Sequence, residues 1–141
     1  MKQTRDIRGF TLMELMIVIM IIGVLTAVLV PKIGSAVQKS GEASSKGSLA
    51  SIRSSLSLYY TNNDGKYPTD NLASLSPNYL PSMPVLKTPN YHPDSVLVMT
   101  ELVPSDSGEW SYDNNINDVN FGAIRVGCTH NDVQGNPWST Y

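Results

Sequence analysis

The sequence predicts an α+β fold, in which one long N-terminal transmembrane and stalk helix packs against a small antiparallel β-sheet head. Three observations support this. An apolar run extends from Leu12 to Val30 with Glu14 as its only charge. Apolar residues then recur at helical spacing as far as Tyr59. Beyond that point the chain is polar, proline-rich and punctuated by short β-rich segments.

Size and composition limit what the chain can be. Its 141 residues suit one domain, and the polar part after Pro31 is long enough for one small core. The net charge of −2 argues against a nucleic-acid binder held by phosphate contacts. A single cysteine, Cys128, excludes an intramolecular disulfide.

The segment from Phe10 to Val30 is long enough to cross a membrane, at about 31 Å as a helix. It is longer than the apolar region of a conventional cleaved signal peptide. A simple uncleaved anchor, with Lys2, Arg5 and Arg8 in the cytoplasm, is an alternative. That alternative leaves Glu14 without a partner, although an unpaired carboxylate in a bilayer costs about 2.5–3.5 kcal/mol.

A specific motif stands at the start of this segment: Gly9-Phe10-Thr11-Leu12-Met13-Glu14. It follows basic residues and precedes an unbroken apolar helix. The motif resembles the processing site of type IV prepilins and type II secretion pseudopilins. The resemblance implies that a prepilin peptidase cleaves between Gly9 and Phe10 on the cytoplasmic side, and that the same enzyme N-methylates Phe10.

Cleavage there would give Glu14 a partner. It creates an α-amino cation on Phe10, and in a filament of staggered helices Glu14 of one subunit can meet the Phe10 amine of its neighbour. An opposite charge at short range offsets the burial of each group. We therefore predict that Glu14 and Phe10 act together in filament assembly.

Gly23 and Pro31 bound the weakest part of the predicted helix. Proline removes a backbone hydrogen bond and clashes with the preceding turn, and glycine has low helix propensity. One interpretation is a kink at the membrane exit. The family resemblance implies the other, a segment that can unwind inside the filament.

The helix is predicted to run from about Thr11 to about Asn62 and to stop at the turn cluster 62–65. The segment 58–69, with its tyrosines, Asp-Gly turn and Tyr-Pro step, resembles the helix end of major pseudopilins and related small pilins. The predicted organisation has four parts: a leader (1–9, removed), a transmembrane and filament-core helix (10–30), its amphipathic continuation (31–62) and a pilin-like head (63–141).

Within the head, a short second helix is predicted from Asp70 to Leu80, with Asp70 as its cap. Four prolines predict a surface loop at 81–93. Strands are predicted at 95–102, 109–112 and 121–126, with a hairpin loop at 113–118. Trp138 in the tail is expected to dock on the head.

No catalytic or metal site is predicted. The loop from Asp113 to Asp118 resembles the start of a calcium loop but lacks its Gly and its final acid. The resemblance to major pseudopilins, which often hold calcium in a C-terminal loop, implies calcium as a candidate ligand of this loop, but no site is assigned. Cys128, His130 and Asp132 could suggest a zinc site or a Cys-His nucleophile pair. Structural zinc needs four ligands, however, and His92 is distant in sequence.

The resulting prediction is a structural subunit, not an enzyme, that polymerises into a pilus-like or pseudopilus filament. The major pseudopilin of type II secretion is slightly favoured. The alternatives are a type IV pilin of a surface pilus, acting in adhesion, motility or DNA uptake, and a membrane-tethered binding module that does not polymerise.

The resemblance also implies partners and a location. The partners are other copies of the chain, the prepilin peptidase and N-methyltransferase, an inner-membrane platform protein, an assembly ATPase, and minor pilins or pseudopilins. The expected location is the bacterial inner membrane, crossed once with the head outside, and then a filament in the periplasm or at the cell surface.

Overall fold

The computed structural model describes residues 9–102 and 105–141. The chain divides into two compact units, one up to Ala36 and one from Val37 to Tyr141. The predicted basic leader lies almost wholly outside the described residues, which begin at its last residue, Gly9.

One helix, α1, extends from Leu12 to Asn62, as predicted. It continues through Gly23 and Pro31, both of which lie inside it. It ends at the predicted turn cluster, where Asp64 and Gly65 have φ of 52° and 73°. The Gly65 N–H donates to the Tyr60 carbonyl at 3.0 Å, which satisfies a carbonyl of the last turn.

The first unit contains the apolar part of α1. Its large side chains are exposed throughout, from Phe10 to Ile33. By length and composition this helix could cross a membrane. A solvent-exposed apolar surface of this extent is unusual in a soluble monomer, because such surface is normally buried against lipid or protein.

In the second unit, α1 contributes one buried stripe to the core of the head, made of Leu49, Ile52 and Leu56. The same core contains two fully buried aromatic residues of the sheet, Trp110 and Tyr112. The remaining buried apolar side chains come from the connecting segments, the third strand and the tail: Leu72, Leu75, Leu80, Leu86, Ile124, Val126, Cys128 and Trp138.

In its described residues, the head contains three short strands, β1 (Val98–Met99), β2 (Glu109–Tyr112) and β3 (Ile124–Gly127), in the order β1-β2-β3. β2 and β3 pair antiparallel, with Glu109 opposite Gly127. β1 pairs parallel to β2, so the sheet is mixed, and the prediction of a purely antiparallel sheet was wrong. The α+β class is confirmed.

β1 joins β2 through a very short parallel ladder. Only Val98 and Met99 pair with it, in the register Val98 to Trp110. The Trp110 N–H donates to the Leu97 carbonyl at 3.0 Å. A sequence pattern of alternating apolar residues indicates a strand but not its direction.

The predicted second helix was wrong in extent. Only Ala73–Leu75 form a 3₁₀ turn, because Leu72 adopts a left-handed conformation with φ of 68°. Asp70 nevertheless caps this segment by accepting the N–H groups of Leu72 (3.0 Å) and Ser74 (2.9 Å). Leu72, Leu75 and Leu80 are buried, as predicted.

The proline-rich segment 81–93 contains no helix or strand, as predicted, but it is not entirely a surface loop. Leu86 and Thr88 are fully buried, and Leu86 forms an isolated bridge with Ser95. The indole N–H of Trp110 donates to the Pro84 carbonyl at 2.9 Å, which fastens the segment to the sheet.

The tail docks as expected. Trp138 is fully buried in a short 3₁₀ helix, Trp138–Thr140. The backbone N–H of Trp138 donates to the His130 carbonyl at 2.9 Å. The last two aromatic residues also contact each other, because the rings of Trp138 and Tyr141 lie edge to face at 5.7 Å.

A polar network joins the tail to α1. The Asp132 carboxylate accepts from the Lys46 ammonium at 2.6 Å and from the Tyr141 hydroxyl at 2.7 Å. Its other oxygen accepts the N–H groups of Gln134 and Asn136, each at 2.9 Å. Burial acts to raise the pKa of Asp132, but these hydrogen bonds outweigh it and hold the pKa well below its ordinary value.

A second buried acid, Glu42, works in a similar way. Glu42 is 2% exposed, and its two carboxylate oxygens accept the Val133 N–H at 3.2 and 3.1 Å. In the sequence, Glu42 and Lys46 stand between the apolar positions of the helix and show no pattern that would pair them with another segment. The tail instead contacts both, because it folds back over this part of α1.

We predict that Leu56→Ala and Leu58→Ala differ sharply in effect. Leu56 is 2% exposed and Leu58 is 55% exposed, only two positions away on the same helix. Leu56→Ala should lower the free energy of unfolding by about 2–5 kcal/mol, and Leu58→Ala by no more than about 0.5 kcal/mol. Urea unfolding of the full chain in detergent, followed by tryptophan fluorescence, measures both. Equal losses would contradict the assignment of the buried stripe.

We also predict that Asp132→Asn lowers the free energy of unfolding at neutral pH by about 1–3 kcal/mol. Because the folded pKa of Asp132 is depressed, its contribution is present above the unfolded value of about 3.9 and is lost progressively as pH falls below it. The difference between the wild type and Asp132→Asn should therefore shrink below about pH 4. Asp94→Asn, an exposed carboxylate, is the control. A difference that does not change with pH would contradict this role.

Candidate functional site

The first candidate site is the start of α1, where Thr11 and Glu14 contact each other. Glu14 Oε2 accepts the Thr11 N–H at 2.9 Å and the Thr11 hydroxyl at 2.8 Å. In return, the Thr11 hydroxyl oxygen accepts the Glu14 N–H at 3.2 Å. This reciprocal arrangement is a capping box, which satisfies backbone donors that a helix start leaves unpaired.

The capping box adds to what the sequence indicated about Glu14. Sequence reasoning assigned Glu14 no partner within its own chain, yet Thr11 binds it in the same subunit. The signal was present, since a Thr followed by Glu three residues later is the capping-box pattern. Thr11 supplies hydrogen bonds but no positive charge, so Glu14 still lacks a counterion among the residues that the structure describes.

The geometry leaves part of the carboxylate free. Both bonds from Thr11 go to Oε2, and Oε1 accepts no hydrogen bond within residues 9–102 and 105–141. Glu14 and Phe10 are both exposed. A fixed carboxylate with one open oxygen, one turn from Phe10, can accept a hydrogen bond from an external cation.

Gly9 and Phe10 precede the helix and are also exposed, with Phe10 at 76%. A side chain at Gly9 would meet no described atom within 4 Å. Nothing in the packing of the described residues therefore requires glycine here. A requirement for Gly9 would have to come from an enzyme that binds the segment.

Gly23 and Pro31 lie in regular helix, and a Cβ at Gly23 would also meet no described atom within 4 Å. The helix is continuous at both positions. Unwinding of this segment inside a filament stays a prediction.

The second candidate site is a cluster in the head made of His92, Asp106, Cys128 and His130. Sequence reasoning grouped Cys128 and His130 with Asp132 and set His92 aside as distant. The structure reverses both choices. Asp132 binds Lys46 and Tyr141, whereas the rings of His92 and His130 lie 5.3 Å apart. Their separation in sequence gave no signal that would have paired them.

Burial disfavours the reactive thiolate form of the cysteine in this cluster. Cys128 is fully buried, as expected for a free cysteine, and burial raises the pKa of its thiol. A catalytic cysteine requires the opposite shift, because the thiolate is the reactive form. Asp106 has a lowered pKa, chiefly because it accepts the Thr129 N–H at 3.0 Å.

The loop from Asp113 to Asp118 is held by hydrogen bonds within its own turns. Its side-chain oxygens cap backbone amides within their own turns, Asp113 to Asn115 at 2.9 Å and Asn115 to Asn117 at 3.1 Å. Asp118 likewise caps Asn120 at 2.9 Å. We assign no calcium-dependent step to this loop, and calcium binding there stays a prediction of the family resemblance alone.

Comparison with known proteins identifies the N-terminal motif. A family model described as the prokaryotic N-terminal methylation motif matches residues 4–30. Type II secretion system core protein G of Escherichia coli (strain K12) is 32% identical over 106 residues, which cover 75% of this chain and 70% of that protein.

Two further relatives match over a shorter region. The core protein G of Dickeya chrysanthemi is 37% identical over 62 residues, or 44% of this chain and 40% of that protein. The core protein G of Pseudomonas aeruginosa is 36% identical over 61 residues, or 43% of each. No solved structure matches the chain. With an N-terminal methylation motif, one long apolar helix and this degree of identity, the chain belongs to the family of type II secretion system core protein G.

Proposed function

We propose that this chain is the major subunit of a type II secretion pseudopilus. After a prepilin peptidase removes residues 1–9, the apolar part of α1 packs among copies of itself and the head coats the filament. The main support for the proposal is the Thr11–Glu14 capping box. It fixes the Glu14 carboxylate near the proposed new N-terminus and leaves Oε1 without a hydrogen bond among the described residues. Family membership and the exposed apolar helix support it.

In the capping box, the two carboxylate oxygens of Glu14 have different roles. Oε2 accepts from Thr11 of the same subunit, and this fixes the side chain relative to its helix. Oε1 is then available for the Phe10 amine of a neighbour. Restricting the side chain in advance lowers the entropy lost on pairing, and an opposite charge in a low-dielectric core offsets the burial of both groups.

The exposed apolar surface of α1 fits two successive environments. As a single helix it is long enough to cross a bilayer, which agrees with a membrane-anchored precursor. Packing among neighbouring helices would bury the same surface in a filament. We propose that the membrane is the bacterial inner membrane, with the head on the outer side.

The proposal requires other proteins. A prepilin peptidase and N-methyltransferase would process the chain, and a platform protein and an ATPase would drive assembly. Minor pseudopilins would complete the filament. A surface type IV pilus is less favoured, because the relatives are named for the type II secretion system.

The first test is the mass of the mature N-terminus. Filaments sheared from cells should contain a chain that begins at Phe10 and carries a methyl group on its α-amine. Gly9→Leu should abolish cleavage, although a side chain at this position meets no described atom of the chain itself within 4 Å. Intact-mass spectrometry reads both results. Filaments built from an uncleaved chain that begins at Met1 would contradict the proposal.

The second test separates the charge of Glu14 from its role as a cap. Glu14→Gln can keep the capping box, since glutamine also serves at this position, but it removes the charge. We expect at least about a tenfold loss of sheared filament, because the neighbour's amine would be buried without its counterion. The yield is measured against the amount of processed subunit in the membrane.

Thr11→Val is the matched control for that test, because it removes the hydroxyl of the cap and leaves the carboxylate. It should reduce filament yield less than Glu14→Gln does. Wild-type yield from Glu14→Gln would show that the charge has no part in assembly.

A further inference from the structure

Three separate segments of the head converge at one end of the β2–β3 hairpin. This is the end where β2 begins at Glu109 and β3 finishes at Gly127. The proline-rich segment supplies His92, the approach to β2 supplies Asp106, and the chain just beyond β3 supplies Cys128 and His130. Each residue offers one metal-binding atom.

The four atoms are close together. Asp106 Oδ1 lies 3.1 Å from His92 Nε2 and 3.2 Å from His130 Nδ1. Cys128 Sγ lies 3.5 Å from His130 Nδ1, and all four atoms lie within 4.8 Å of one another. Bond lengths of about 2.0–2.3 Å around tetrahedral zinc place its ligand atoms about 3.3–3.6 Å apart. Small side-chain movements would therefore bring these four atoms to the corners of that tetrahedron.

We propose that His92, Asp106, Cys128 and His130 bind one zinc ion. Two imidazole nitrogens, one thiolate and one carboxylate are all zinc ligands, and the borderline-soft ion accepts this mixture of N, O and S donors. With Cys128 and Asp106 ionised and both histidines neutral, the ligands carry a charge of −2, which balances Zn²⁺.

The surroundings of the cluster orient its members. The Thr129 N–H donates to Asp106 Oδ1 at 3.0 Å, and the ring of Tyr91 stacks on His130 at 4.2 Å with an interplanar angle of 14°. Gly108 has φ of 73°, and a Cβ there would collide with His92. Contacts of this kind commonly hold metal ligands in position.

The exposure of the residues fits a structural site with a route to solvent. Cys128 is buried, and the His92 side chain is 12% exposed. The side chains of Asp106 and His130 are 43% and 39% exposed, so an ion can enter from their side. Four protein ligands fill tetrahedral zinc and leave no open position, which is the pattern of a structural ion rather than a catalytic one.

Such an ion would link segments of the head that are far apart in sequence. It would connect the segment that contains His92 to the residues just before β2 and just after β3. In a head with strands of two to four residues, a cross-link of this kind should contribute substantially to stability.

Metal binding is tested on the full chain in detergent, reduced and stripped of metal with a chelator. Cobalt(II) should bind one ion per chain and give the visible bands of a tetrahedral site, together with a near-ultraviolet thiolate-to-cobalt band. Zinc should displace it. At zinc about 100-fold above its Kd, the Tm of the head should rise by about 10 °C or more. Calcium is the control ion and should not displace cobalt.

Matched variants distinguish these ligands from other polar groups. Asp106→Asn and His130→Gln should lower zinc affinity at least about tenfold. Cys128→Ser should remove the thiolate-to-cobalt band. Asp94→Asn, an exposed carboxylate two residues from His92, should bind zinc as the wild type does. If Cys128→Ser fails to fold, the partly exposed His130→Gln still tests the site.

Three outcomes would overturn the proposal. One is the absence of a thiolate-to-cobalt band in the wild type. Another is an equal rise of Tm with zinc in Asp106→Asn and Asp94→Asn. The third is a stoichiometry well below one ion per chain. None of these measurements depends on filament assembly, so a negative result for zinc leaves the pseudopilus proposal unaffected.

Discussion

The head depends on burial of a single stripe of α1. The sheet has three strands, and β1 is only two residues long, so the sheet alone could not bury enough apolar surface to be stable. Leu49, Ile52 and Leu56 supply the missing surface by joining the core that contains Trp110 and Tyr112. Packing against the head also stabilises the helix, because the serines and glycines between Val37 and Asn62 give it a weak intrinsic helix propensity.

Polar groups then fix how the head closes over this part of the helix. Glu42 and Lys46 reach the tail, and the Arg53 guanidinium donates to the Ile124 carbonyl at 3.0 Å. Each of these groups has a specific partner, so each constrains position in a way that apolar contacts do not. Together with the buried stripe, they explain why Val37 to Tyr141 form one compact unit.

The part of α1 before Ala36 differs from the part in the head, because its large apolar side chains are exposed. There the large side chains have no partner among the described residues. The capping box at Thr11 and Glu14 is a local arrangement that involves no other residue in the described part of the chain. The unit from Val37 to Tyr141 thus has its own core, while the apolar segment exposes a surface that lipid or other subunits would bury. This division is what a membrane-anchored filament subunit requires.

The features that could be predicted from the sequence are those that depend on residues close together in the chain. Gly9, Phe10, Thr11 and Glu14 form a contiguous motif, and the period of α1 and its stop at 62–65 depend on local propensity and turn chemistry. Only the tertiary structure decided that β1 runs parallel to β2, that Glu42 is buried, and that His92 and Asp106 meet Cys128 and His130. These depend on contacts between segments far apart in the chain, for which a single sequence carries no periodic or spacing signal.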